Sequence, residues 1–578
     1  MTTSQLNVPW FDRQEILAPL VRRIEGFLAG YRQNCALLGP EAIGKTTLLK
    51  RLIQQRLSPS SSLVSFYLEV RKDESLAEWA ARFVQTLLYG ALQAKGIHDL
   101  PTDLSSLEKL SSSVIPKTSA LASQLLGLSE AGRNEEVYPQ LWDLPHLMTR
   151  ETGIPCLLVL DEFHQLQGLE VKDPFRRLGQ KIMVQNTTMF LVASSQPLVA
   201  RRILREGLNL LFGQFEILEL SPLDAPICLK AIRAVWPTAQ ADPFLEHLLI
   251  ELAQGYPVYL DLLLQGLMNR RLPEATGFED RTLLDLLESL LLEEDGALRQ
   301  RLELRIRRLA PHRNRRTWIR VLAAVAAGNH RVPQIAHALE CSPPQVLGAL
   351  KVLEPVELVT KQGVFYRVPD RLLQLWMLTA HPILQGAALA DSALARARFR
   401  DAAWAWIEKI RQEVHRPIEE QIKALLHQWA GELVEIEGRR VLLPAWDRVE
   451  QVPGPGKRPA TMAHPSGKTG KGWLVIPWAG PLEEGQAREM VQEISKLPLK
   501  VHRKILLGPH PVELNARLIL QEARVRLWDL HVLNHLLDLY GLARLPFPLE
   551  EPSCLGEAIP IFPELAPVPA DLQAKPAT

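Results

Sequence analysis

Cysteine is scarce in this chain of 578 residues: Cys35, Cys156, Cys228, Cys341 and Cys554 are scattered, with no C-x-x-C pair. That excludes a disulfide framework or a zinc knuckle and leaves isolated thiols that read as small core residues. Charge of one sign is not in excess either, since 66 Lys and Arg face 65 Asp and Glu, a net of +1. A protein that coats nucleic acid over its whole surface carries a large positive excess, so only a local basic face remains open. No apolar run approaches the ~20 residues of a membrane helix. The start, MTTSQLNVPWFDRQE, lacks the basic-then-apolar order of a secretory leader. The expectation is a cytoplasmic protein with no membrane partner. With 47% hydrophobic and 23% charged residues the chain is neither wholly disordered nor collagen-like nor a coiled coil. Its length calls for several domains, at ~100–200 residues each.

What is present begins with alternation. Over residues 1–225, apolar β-type runs (Cys35–Leu38, Leu63–Val70, Cys156–Leu160, Met189–Ala193 and Phe215–Leu220) alternate with helical patterns. This predicts an α/β domain with a parallel sheet covered on both faces. A Ser-rich stretch, Leu104–Ser129, reads as an insertion of helix and loop. Residues 226–312 show only helical periodicity and predict an all-α segment. Short helices follow over Thr317–Leu353, then a hairpin at Leu358–Val368, a helical stretch Ser392–Glu432, and strands at Leu433–Leu443 and Trp473–Trp478. Between these two strands, Pro453–Gly472 (PGPGKRPATMAHPSGKTGKG) reads as a loop that builds no core. The tail, residues 546–578, holds eight prolines in 33 residues and reads as extended chain.

The strongest signal is Gly39-Pro40-Glu41-Ala42-Ile43-Gly44-Lys45-Thr46, which fits G-x-x-x-x-G-K-[ST] between an apolar strand and the helix Thr47–Gln55. Glycines let the backbone fold round a phosphate so that its N–H groups point inward, and the following helix offers its positive end. Lys45 then reaches the β- and γ-phosphates and the Thr46 hydroxyl ligates Mg²⁺. Residues 39–46, with Thr47 beside them, are the candidate ATP-binding set. Downstream, LLVLDE (157–162) is an apolar strand ending in two acids, delivered to the sheet edge where such folds bind ligands. Asp161 is the candidate second Mg²⁺ ligand, through water, and Glu162 the base that polarises the attacking water. The strand Met189–Ala193 ends in Ser194-Ser195-Gln196, where a polar side chain, Ser194 foremost, is a candidate sensor of the γ-phosphate or simply the start of a loop. Arg201, Arg202 and Arg205 follow, either as arginine fingers across a subunit boundary or as a solvated basic face.

Taken together, several motifs resemble one family. These are Phe11-x-Arg13-x-Glu15-x-Leu17 ahead of the loop, the loop itself, LLVLDEF, Ser221-Pro222-Leu223 after a strand, and Gly255-Tyr256-Pro257, similar to a G-x-P signature. Over residues 10–380 the chain resembles the archaeal-type P-loop ATPases of the STAND group, relatives of the AAA+ replication initiators. The resemblance implies that Arg13 and Glu15 lie near the nucleotide and that Pro257 sits in a lid responding to it. One departure stands out: Phe212-Gly213-Gln214 occupies the place of a Tyr-Gly-Arg triplet common in relatives. If that arginine assists hydrolysis, Gln214 implies slow turnover.

Residues 318–368 fit helix–helix–helix–hairpin, and the ending Tyr366-Arg367-Val368-Pro369-Asp370…Trp376 resembles the winged helix of the same ATPases. Its second long helix, PPQVLGALKVLE, has only Lys351 as a base, which is poor for DNA phosphates. The adjoining Arg299–Arg316 has eight arginines against Glu303 alone. It is either a charged face paired with acids or a strip that contacts DNA phosphates. Residues 395–545 are similar in outline to a restriction-endonuclease-like domain, yet the strand Leu474–Trp478 has no Glu-x-Lys to hold metal. Glu435, Glu437 and Asp447 are scattered acids, so this domain reads as inactive. The resulting expectation is a P-loop ATPase core (1–225), a helical lid (226–312), a winged helix (313–380), a nuclease-like α/β domain (395–545) and a Pro-rich tail (546–578). Functionally it predicts an ATP- and Mg²⁺-dependent switch that hydrolyses slowly and acts on DNA. The alternative is a nucleotide-stabilised scaffold recruiting DNA, a protein partner or further copies of itself.

Overall fold

The computed structural model describes residues 13–56, 62–97, 99–208, 215–235, 243–270, 280–307, 309, 312–385, 392–436, 438–455, 459–465, 472–478, 480–496, 501–508, 512–542 and 544–545. Phe11, the triplet Phe212–Gln214, Arg308, Glu437 and the Pro-rich tail lie outside the described residues. Contacts divide the chain into two compact units, Met1–Gln412 and Glu413–Thr578. No described helix is long and apolar enough to cross a membrane.

In the first unit, β1 (Asn34–Leu38), β2 (Val64–Glu69), β3 (Cys156–Asp161), β4 (Thr188–Ser194) and β5 (Phe215–Glu219) form one sheet, all parallel, in the order β2-β3-β4-β1-β5. With its covering helices it fits the expected P-loop NTPase α/β fold. Every residue of β1, β3 and β4 is buried, which is why these strands read as unbroken apolar runs rather than alternating ones. One face packs Cys35, Leu37, Leu157, Val159 and Leu191 against the helices Gln14–Leu28 and Lys45–Arg56. The other carries a ring cluster, with Trp79 5.2 Å from Phe83 and 5.3 Å from Trp142. The stretch expected as helix and loop at 104–129 is helical almost throughout, as Leu104–Val114 and Pro116–Glu130. It is drawn into this second core because Ile115, Ala122 and Leu125 are fully buried there, each larger chain worth about 1.5–3 kcal/mol.

Beyond β5, five helices from Ala225–Val235 to Ala297–Arg307 are followed by Arg315–Ala326, Val332–Leu339 and Pro343–Leu353. An antiparallel hairpin comes next, β6 (Thr360–Gln362) with β7 (Phe365–Arg367). These elements share one continuous core. A buried polar knot also joins them: Arg305 pairs with Asp370, whose carboxylate accepts the Tyr259 hydroxyl at 2.7 Å, and Trp376 Nε1 donates to the Leu291 carbonyl at 3.1 Å. Breaking such a pair from one side costs about 3–5 kcal/mol. The helix Ser392–Val414 adds Phe399, Ala403 and Ile407 to the same core, so the compact units divide at Gln412 rather than near 395.

The second unit holds a hairpin, β8 (Glu432–Ile436) with β9 (Arg439–Leu443), where a single strand was expected. It also holds a mixed sheet of β10 (Trp446–Pro453), β11 (Pro459–Pro465), β12 (Gly472–Pro477), β13 (Val501–Gly508) and β14 (Val525–Asp529), in that order. The first three strands are antiparallel and the last three parallel. The expectation of a loop over 453–472 is corrected by β11, which pairs with both neighbours. Within that polar stretch Ala460, Met462 and Ala463 are buried, and Pro459 and Pro465 stand at the strand's ends, where proline is tolerated.

Candidate functional site

The chemistry gathers at the C-terminal edge of the parallel sheet. Strand β4 lies between β1 and β3, so the loop after β1 and the acids after β3 flank the end of β4. The loop's shape depends on its glycines. Gly44 has φ +95°, and a Cβ on Gly39 would stand 2.7 Å from the Leu220 carbonyl oxygen. The Lys45 ammonium donates to the carbonyls of Gly39 and Pro40, both at 2.9 Å. It is buried, and burial lowers its pKa, while Glu162, Asp161, Glu41 and Glu357 act to raise it. Thr46 Oγ1 donates to Asp161 Oδ2 at 2.6 Å. This pair of hard oxygen ligands, one hydroxyl and one carboxylate, suits Mg²⁺, which keeps several waters when bound. Thr47 is exposed in the first turn of the helix.

Glu162 has φ 53°, an uncommon conformation for a side-chain-bearing residue. Its Oε2 accepts Ser195 N–H at 3.0 Å and Ser195 Oγ–H at 2.8 Å, and lies 3.4 Å from His164 Nδ1. Burial pushes the Glu162 pKa up, partly offset by Lys45 and by the Ser195 hydrogen bonds. The sequence singled out Ser194 as the sensor. In the structure its hydroxyl is fully buried, 2.9 Å from His164 Nδ1, and accepts Gln196 N–H at 3.0 Å. The hydroxyl that meets the carboxylate is that of Ser195, the first residue past the end of β4.

Two contributors escaped sequence reading. His164 is one, and the other is Tyr67 on β2, whose hydroxyl donates to Asp161 Oδ2 at 2.8 Å. A tyrosine near the end of the run LVSFYLEV reads as core, and only the pairing of Glu69 with Asp161 brings it to the acid. Burial beside Asp161 drives the Tyr67 pKa well up, so it stays a donor. Replacing Tyr67 with Phe keeps the ring and removes this bond. The Mg²⁺ concentration for half-maximal ATP turnover is then expected to rise by roughly 10–100-fold, as for other supporting partners of metal ligands. An unchanged Mg²⁺ titration would show that Thr46 alone orients Asp161.

The lid residues also arrive. The Pro257 ring, at the start of the helix Pro257–Met268, lies 3.8 Å from where a Cβ on Gly44 would stand. Arg13 is buried, 3.7 Å from Glu15, and its Nη2 makes no hydrogen bond among the described residues. Burial lowers its pKa. The charges that act on it come from Glu15, Asp224 and Cys228, and a buried donor without an acceptor is costly. A cleft of 1530 Å³ opens beside the loop, lined among others by Glu41, Ser195, Gln196, Tyr256 and Arg305. Arg201 and Arg205 each pair within the chain, with Glu219 and Glu206. In the strip, Arg299 bonds Glu303, Arg305 is taken by Asp370 and Arg315 donates to the Ile306 carbonyl, while Arg301, Arg313 and Arg316 are exposed.

No family model matches the sequence, and no curated protein matches it. Among solved structures, the Walker-type ATPase of Pyrococcus abyssi is 16% identical, over 64% of this chain and 95% of that one, with a TM-score of 0.44. The Aeropyrum pernix ORC2 protein (ADPNP-ADP complexes) is 17% identical over 68% and 97%, with a TM-score of 0.40. A STAND protein with a tetratricopeptide repeat sensor from Pyrococcus horikoshii is 12% identical over 70% and 50%, with a TM-score of 0.24. Likeness at this level bears on neither activity nor partners.

Proposed function

We propose that the first unit binds ATP with Mg²⁺ and hydrolyses it slowly, as a switch whose lid and helix–hairpin region respond to the nucleotide and act on DNA. The observation that carries this reading is the cluster of Lys45, Thr46, Asp161 and Glu162 at one sheet edge, with Thr46 and Asp161 in direct contact at 2.6 Å. Lys45 meets the β- and γ-phosphates, Thr46 and Asp161 hold the metal, and Glu162, anchored through Oε2, offers Oε1 to the attacking water. Phosphoryl transfer needs this positioning and charge neutralisation more than covalent help. The region around β6 and β7 acts as a structural winged helix, and the exposed Arg301, Arg313 and Arg316 give DNA phosphates a partner. The second unit is a nuclease-like fold without nuclease activity, a reading supported by the lack of Glu-x-Lys in β12, GWLVIP.

One observation favours the scaffold reading, in which nucleotide holds a closed or oligomeric state with little turnover. Arg201 and Arg205 are engaged by acids of their own chain, which leaves them less ready to complete a neighbour's site. Steady-state ATP hydrolysis with and without duplex DNA separates the two. A low rate raised by DNA is expected from the switch. A rate that stays near zero under both conditions would leave the scaffold.

A further inference from the structure

Four tryptophans pack together in the second unit. Trp429 lies 5.5 Å, ring to ring, from Trp473 and 6.1 Å from Trp446, and Trp473 lies 5.4 Å from Trp446 and 6.3 Å from Trp528. The Arg503 guanidinium sits 4.6 Å from the centre of the Trp473 ring, its partner across β12 and β13. Three donors in this cluster, Trp429 Nε1, Trp446 Nε1 and Arg503 Nη1, are buried and make no hydrogen bond among the described residues. Buried donors left without acceptors are costly, and a desolvated cation without a counter-charge is more so.

Elsewhere the fold answers such cations: Arg305, Arg400 and Arg544 each meet a carboxylate. Arg503 does not. Burial depresses its pKa, and the charge acting on it is a second cation, Arg526, which depresses it further. The three orphans are all donors, so their complement is an acceptor-rich anion. A phosphate monoester presents three strong acceptor oxygens, and a guanidinium fork matches phosphate geometry.

We infer that Trp429, Trp446, Trp473 and Arg503 form a second, independent site, one that binds a phosphoryl group, either free or carried by a nucleotide or the 5′ end of a nucleic-acid strand. Calorimetric titration of the full chain carrying Lys45→Ala, which silences the loop at Gly39–Thr46, tests it with three probes. These are inorganic phosphate, thymidine 5′-monophosphate and a 5′-phosphorylated oligothymidylate. Saturable binding is expected, weakened about tenfold or more when Arg503→Met is added, the loss of one charged hydrogen bond. Equal affinity for all three probes identifies the free anion as sufficient; tighter binding of the monophosphate or the strand identifies the ring or the chain as part of the ligand. No saturable heat with any probe, or the same affinity in Arg503→Met, overturns the site. Thermal melting without phosphate provides a control that needs no ligand. Removing an uncompensated cation should leave Tm unchanged or higher, whereas a fall of several degrees would mark Arg503 as a structural support of the tryptophans and overturn the inference.

Discussion

Replacing Lys45 with alanine is expected to weaken ATP binding by roughly 10²–10⁴-fold, from about 1.5–3 kcal/mol for each of two charged hydrogen bonds. In the proposed reading, the ammonium now held by the Gly39 and Pro40 carbonyls transfers to the phosphates. Its loss has a second effect. Glu162, Asp161, Glu41 and Glu357 all act on Lys45, and without it these acids repel both each other and the incoming polyphosphate. Titration with a fluorescent ATP analogue measures the change. Affinity within a few-fold of the natural chain would mean that the backbone N–H groups of the loop bind the phosphates unaided.

Glutamine at position 162 should leave ATP affinity intact and lower turnover by about 10²–10⁴-fold, the usual contribution of a positioned base. The amide keeps the carbonyl oxygen that accepts the two Ser195 hydrogen bonds, so the loop stays in place while the proton acceptor is gone. Nucleotide recovered with the protein after gel filtration should then be ATP rather than ADP. The pH profile gives an independent sign. Burial holds the Glu162 pKa above the ordinary carboxylate range, and only the ionised form accepts a proton. Turnover should therefore decline on the acid side at a higher pH than for an exposed glutamate, and that limb should vanish in Glu162→Gln. Turnover like that of the natural chain in this variant would remove Glu162 from the role of base.

The parallel sheet was legible because its central strands are buried on both faces, which writes them into the sequence as uninterrupted apolar runs. Lys45, Thr46, Asp161 and Glu162 were legible because chemistry fixes their type and their place at strand ends. The order of the strands was not. Nothing in the run Met189–Ala193 says that it lies between the loop and the acids, and so nothing said that Ser195 rather than Ser194 would meet Glu162. Tyr67 was hidden for a related reason: it reaches Asp161 across a strand pairing, and its ring is indistinguishable from a core residue until the register is known. In the second unit, β11 was misread because a core strand only seven residues long sits in a stretch rich in Pro, Gly and Lys. Composition averages over such a window and loses the four-residue buried centre, ATMA.

The shared core of the lid and the helix–hairpin region bears on how this part of the chain can be cut, copied or inherited. Residues 313–380 look like a portable module in the sequence, yet they cannot be lifted out intact. Excision would leave Asp370 without Arg305 and Tyr259, and the Trp376 indole without the Leu291 carbonyl. It would also lay open a wall of leucines on both fragments. Such a piece behaves less like a bead on a string than like a tooth on a gear. Domain shuffling that respects its physics must carry the whole span from β5 to the helix ending at Val414, and a truncation placed at residue 313 would yield two insoluble halves.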